Sequence, residues 1–169
     1  NTEISSTFLG DVVNAWEDVV DGFKTPTCRV AKIRIGLVLA SDEGALPKMV
    51  QPIKLGLGAP LGSGKQWQSW IHVKDLANMF VFALKNGLEG IYNGVAPNPV
   101  TNRDLTKIAA KVLKRPLLLP NVPKFALKLV LGEMHILLFE SQRVSSQKME
   151  IEGFDYSYAN LKPALEDLL

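Results

Sequence analysis

Few residues in this 169-residue chain could transfer a proton, hold a metal or cradle a phosphate, and their spacing narrows the field further. The two histidines, His72 and His135, have no third ligand at metal spacing, which argues against zinc. His72 lies between an aromatic-rich segment and a helix start and reads as a structural hydrogen-bonding residue. His135, beside Glu133 on a helical stretch, reads as a surface or packing residue. A single cysteine, Cys28, excludes an internal disulfide and fits a reducing, cytoplasmic compartment. Next to a strand-like run, it reads as a small buried hydrophobe.

The loop from Gly56 to Lys65 carries four glycines, Gly56, Gly58, Gly62 and Gly64, and invites two phosphate-binding readings. A nucleotide P-loop requires Ser or Thr where Gln66 stands, a strand before it and a helix after it; proline-broken sequence precedes it and WQSWIH follows. A dinucleotide fingerprint requires a buried strand before the first glycine, and none is there. A connecting or substrate-covering loop fits better.

Arg34 interrupts an apolar run, where a cation needs a partner, and Gly36 follows it, leaving room for a close approach. Contact with a ligand at the carboxyl end of a strand is the favoured reading, with a structural ion pair as the alternative. Trp67 and Trp70 read as sharing one face, where they wall a pocket or simply pack in the core.

These residues have to be positioned by helices and strands that the pattern outlines. Residues 7–22 have helical spacing, ended by Gly22 and Pro26. The run from Cys28 to Ala40 is rich in Val, Ile and Leu, the pattern of a parallel strand covered on both faces. Pro47 and Pro52 leave only a short or kinked helix after it. A helix opening at Asp75 is apolar nearly all round and reads as buried. GIYNGVA, 90–96, reads as a strand, and TNRD, 101–104, as a capping box opening a further helix. Helical stretches follow at 123–132 and, in pieces, at 133–152. The tail from Tyr158 reads as a final amphipathic helix.

Composition excludes several classes. With 47% hydrophobic residues the chain is not disordered, and its longest apolar stretches are too short for a membrane span. A net charge of +2, with the basic residues dispersed, argues against nucleic acid as partner. Position 1 is Asn, so the sequence is expected to begin inside a longer protein.

Several segments in order, FLGDVVNAWE, RIGLVL, GALPKM, KLGLGAPLGSGKQ, SWIHVKDLA, YNGVAPNPVTN and the closing ALEDLL, resemble the carboxyl-terminal part of the atypical extended short-chain dehydrogenase/reductases. The branch is that of the epimerase family proteins, also called sugar-nucleotide-epimerase-like. The resemblance implies an α/β fold: the second half of a Rossmann-type parallel sheet (1–39 and 67–97) and a small, mostly helical carboxyl-terminal substrate domain (40–66 and 98–169). It implies NADP or NAD as cofactor in the intact protein and a small-molecule substrate. The family's glycine-rich dinucleotide loop would lie upstream of Asn1. The Tyr and Lys that related enzymes use for proton transfer align with Leu9 and Val13, neither of which can do so. Gln68 stands where sugar-nucleotide enzymes place a diphosphate-binding Arg.

The expectation is therefore an NAD(P)-dependent oxidoreductase or epimerase-like protein. Arg34, Gly36 and Val38 are placed on its cofactor side, Met49, Gln68 and Trp70 along its substrate pocket, and no catalytic residue is named. A non-catalytic ligand-sensing or partner-binding module on the same fold is the alternative.

Overall fold

The computed structural model describes residues 8–123 and 141–169. The helical reading of 123–132, the first part of the 133–152 stretch and His135 fall outside the described residues.

Helix α1 (Phe8–Asp21) leads into strand β1 (Ala31–Ile35), which stops at Gly36 and resumes as β2 (Leu37–Leu39). Helix α2 (Ala45–Lys54) follows, then the glycine loop, β3 (Trp67–Gln68), β4 (Trp70–His72), α3 (Val73–Asn86) and β5 (Gly90–Gly94). Strand β6 (Val100–Thr101), α4 (Asn102–Val112), α5 (Gln147–Ile151) and α6 (Leu161–Leu168) complete the described elements. Strand β1 pairs in parallel with β5, from Ala31 opposite Gly90 to Ile35 opposite Gly94. Strand β2 pairs in parallel with β4, and β3 antiparallel with β6. This is the parallel α/β pattern that a helix-strand alternation dictates.

Two clusters form the core. In one, Leu39 and Trp70 meet the inner faces of α2, α4 and α6 through Leu46, Val50, Leu105, Ala109, Leu161 and Leu165. In the other, Ile71, Met79 and Tyr92 pack with Met149 and Phe154. The sequence division gave all of 98–169 to the substrate domain, yet Met149 and Phe154 pack against the α3 and β5 side.

Three expectations need correction. The run from Cys28 to Ala40 is not one strand covered on both faces: it breaks at Gly36, and β1 is half-buried at best, with Ile35 51% exposed. Cys28 is exposed, because it lies in a turn bridged to Thr25 before the strand begins. Helix α3 is buried only along Asp75, Met79 and Ala83; Phe80, Val81 and Leu84 face outward. It starts at Val73, two residues before Asp75, because the His72 ring caps it. The expected short helix is α2, ten residues long: Pro47 falls in its first turn, where no donor is required, and Pro52 in its last.

The outer edge of β1 is open among the described residues. Gly90 N–H donates to the Val30 carbonyl and Gly36 N–H to the Gly94 carbonyl, so the even-numbered residues of β1 face β5. The backbone groups of Ala31, Ile33 and Ile35 point the other way, where no described strand lies. Alongside, α1 is tied to β1 by charge: Lys32 reaches Asp21 and Arg34 reaches Glu17. Its apolar side chains Val13, Trp16, Val19 and Val20 remain exposed.

Candidate functional site

In an open parallel sheet the ligand crevice lies beyond the carboxyl ends of the strands. In this chain the carboxyl end of the β1–β5 pair comprises the strand break at Gly36 and the Val95–Pro99 segment after β5, with Ser69, between β3 and β4, packed against both.

Arg34 is engaged within the chain. Its Nε donates to Glu17 Oε1 at 2.8 Å and its Nη2 to Glu17 Oε2 at 3.0 Å, a two-pronged pair across 17 residues. The guanidinium holds the Glu17 carboxyl below its ordinary range, against the raising effect of partial burial. The ion pair, set aside in favour of ligand contact, is the arrangement observed. Gly36 likewise serves packing. A Cβ there would stand 2.3 Å from the Ser69 carbonyl oxygen and 2.7 Å from Val95 Cγ1, so the chain itself fills the space a ligand would need. Val38 packs against the second core cluster. Leu37 N–H donates to the Ser69 carbonyl, so the alternation of a parallel ladder turns the Val38 backbone groups away from β4.

Several donors of the glycine loop are bound within the chain. Leu61 N–H donates to Asn102 Oδ1 at 2.8 Å, Gly62 N–H to the Val122 carbonyl and Gly64 N–H to the Leu61 carbonyl. Asn121 and Arg103 bind the carbonyls of Gly62 and Ser63. Gly56, Gly62 and Gly64 have positive φ, which explains the glycines without a phosphate. Asn102, 1% exposed at the start of α4, organises this loop.

The aromatic segment divides. Trp67 and Trp70 are three residues apart, an odd offset that sends strand side chains to opposite faces. Trp70 is fully buried in the first core cluster and donates its indole N–H to the Asn98 carbonyl at 2.9 Å, so it is a core residue and not a pocket wall. Met49, on α2, packs against the same cluster. Gln68 is half-buried in β3 opposite Val100. Trp67 is partly open, and the Arg143 guanidinium lies over its ring at 4.6 Å from the centroid.

Arg143 was not singled out in the sequence. The only signal that could have found it is its position between polar residues in SQRVSS, a weak one. It lines a cleft of about 490 Å³ with Pro97, Pro99, Ser145, Ser146 and Glu150. None of Met49, Gln68 and Trp70 lines it.

His72 fulfils the structural reading. Its Nδ1 accepts from Lys74 N–H at 3.1 Å as the cap of α3, its ring stacks on Tyr158 at 3.9 Å, and its Nε2 lies 3.3 Å from Asp167. Burial pushes the imidazole below its ordinary value, partly countered by Asp167 and Asp75. The Thr101 capping box forms with a variation: Thr101 Oγ1 accepts from Asp104 N–H, and the Asp104 carboxylate accepts from that same hydroxyl at 2.6 Å. Among the described residues no group of three or more metal-ligating side chains assembles, and no helix is long and apolar enough to cross a membrane.

Comparison with known proteins gives two family matches: the NAD dependent epimerase/dehydratase family over residues 38–94, and a domain of unknown function (DUF1731) over residues 122–168. The chloroplastic epimerase family protein SDR39U1 homolog of Arabidopsis thaliana is 41% identical over 170 residues, covering 100% of this chain and 48% of its own. Epimerase family protein YfhF of Bacillus subtilis is 39% identical, covering 99% of this chain and 56% of its own. Among solved structures, human epimerase family protein SDR39U1 (isoform 2) with NADPH matches with a TM-score of 0.89 at 33% identity, covering 99% of this chain and 57% of that one. The chain thus spans about half the length of the relatives it matches.

Proposed function

We propose that this chain, an epimerase family match of the extended short-chain dehydrogenase/reductase kind, forms the substrate-side half of an NAD(P)-dependent oxidoreductase or epimerase. The observation that carries the reading is the likeness to half of a human protein solved with NADPH. The open outer edge of β1 and the exposed apolar stripe of α1 agree with it, since both are surfaces that a larger parallel sheet and its helices would cover.

The described residues do not fit the phosphates of a dinucleotide. Arg34 is bound to Glu17, the space beside Gly36 is filled by Ser69, and the loop amides of Leu61, Gly62 and Gly64 are bound within the chain. What they offer a nicotinamide ring is the backbone of Val38, in the middle of β2 and turned away from β4. A nicotinamide, when bound, supplies hydride transfer. The cleft beyond β5 orients a small-molecule substrate, and the Val13 position on α1 holds an exposed apolar residue that can transfer no proton. Lone, exposed Cys28 accords with a reducing compartment such as the cytoplasm.

The 169-residue chain alone is expected to bind NADPH weakly or not at all by calorimetry; a micromolar dissociation constant would refute the division of labour. In the complete protein, carbonyl compounds should consume NADPH absorbance. The absence of a proton-transferring side chain at Val13 favours one second reading, a cofactor-binding module without turnover. Tight NADPH binding with no consumption across the panel would establish that reading instead.

A further inference from the structure

Arg143 is exposed, yet its backbone is fixed on both sides. Ser69 Oγ donates to the Gln142 carbonyl at 2.7 Å and accepts from Val144 N–H at 2.9 Å, bracketing the arginine. Trp67 N–H donates to Ser141 Oγ at 3.0 Å, and Asn93 Nδ2 donates to the Ser145 carbonyl at 2.9 Å. The Trp67 ring then supports the guanidinium from one face. No carboxylate pairs with it among the described residues. An arginine held at both flanks, stacked on an aromatic ring and left with its donors unpaired at the carboxyl end of a parallel sheet is preorganised for an oxyanion.

The cleft also defines the charge that it can take. Among the described residues its one other ionisable lining residue is Glu150, which accepts from Ser146 Oγ. One cation and one carboxylate leave a diphosphate largely uncompensated and repelled. A single carboxylate is matched by one guanidinium fork, with Glu150 and Ser145 available to hydroxyl groups. We infer that Arg143 is the anchoring residue for a small hydroxylated monocarboxylate in this cleft. The inference deepens the reading above by naming a substrate class, and its test needs no cofactor.

Trp67 reports the event, because an oxyanion that engages Arg143 alters the cation over its ring. The intact chain is titrated with glycerate, glycerol 3-phosphate and uridine diphosphate while tryptophan emission is followed. Glycerate is expected to change the emission with a millimolar midpoint, weakened about tenfold or more in Arg143→Ala and less in Arg143→Lys. The change should vanish in Trp67→Phe. Since Arg143 is exposed, circular dichroism of the variants should match the parent. An unchanged midpoint in Arg143→Ala, or no response to glycerate up to roughly 50 mM, overturns the site. Tighter Arg143-dependent binding of glycerol 3-phosphate or uridine diphosphate overturns the single-charge argument. Each of these results leaves the calorimetric NADPH test, and the reading it examines, untouched.

Discussion

Removing the Asp75 carboxylate should loosen the chain's carboxyl-terminal segment. Asp75 is fully buried in the first turn of α3 and accepts two backbone donors from far along the chain, Ser157 N–H at 3.0 Å and Tyr158 N–H at 2.8 Å. Each hydrogen bond to a carboxylate contributes about 1.5–3 kcal/mol, and an unsatisfied buried amide is costly. The two are not additive, because the 157–158 turn can open to water once one bond is lost, so Asp75→Ala is expected to cost about 3 kcal/mol. Asp75→Asn is the sharper variant. It preserves volume and one oxygen, but its NH2 meets a backbone donor, so its cost should approach that of alanine. For a chain of this size about 3 kcal/mol corresponds to a fall of about 6–12 °C in melting temperature. Urea unfolding measures the global loss, and hydrogen exchange at Ser157 and Tyr158 detects a segment that detaches before the rest unfolds. If Asp75→Asn stays within about 0.5 kcal/mol of the parent and both amides keep their protection, the carboxylate is not the clasp described.

Gly36→Ala should destabilise by roughly 3 kcal/mol, the upper range for overpacking, because the added carbon meets a backbone carbonyl at 2.3 Å that no rotamer change can move. An unaltered thermal midpoint would show that β2 and β4 do not approach as closely as stated. For His72, burial lowers the folded-state pKa, so the unfolded chain takes up a proton that the folded chain resists. Its contribution is complete above the ordinary histidine range and is lost as pH falls below about 6.5. His72→Asn replaces the Nδ1 acceptor with an amide oxygen that can still cap α3 and should flatten the stability slope between roughly pH 7 and 5; an identical slope would assign that pH dependence to other groups.

What the sequence made legible was local. The α/β alternation, the capping box at Thr101, the role of His72 and the glycine-rich turn chemistry of the loop all follow from residues within a few positions of one another. What it concealed were pairings over distance. Nothing near Arg34 indicates that Glu17, on the preceding helix, faces it, so a cation in an apolar run read as a ligand contact. The glycine at 36 signalled a close approach correctly, but only the fold reveals that Ser69 makes it. Trp70 and Trp67 have the same chemistry; their different fates depend on β4 lying beneath α2 and α6 while β3 lies at the rim.

The position of Arg143 shows why such residues escape a linear reading and why they still matter. Its neighbours in sequence are ordinary polar residues, and every contact that places it comes from residues at least 50 positions earlier: Trp67, Ser69 and Asn93. Those three lie at β3, between β3 and β4, and in β5, so the sheet itself fixes the path of the 141–145 segment. Asp75 and Asn98 fasten the same chain further on, at Ser157–Tyr158 and Ala159–Asn160. A segment that only needed to bury Met149 and Phe154 would be served by apolar contacts at the second core cluster. The additional polar clasps specify where its backbone runs, and the first of them bracket an arginine whose charge the described residues leave unpaired. Specifying position so closely around an exposed cation does little for stability, since exposed charges contribute little, and a great deal for recognition, where a preorganised donor fork avoids the entropic cost of ordering on binding.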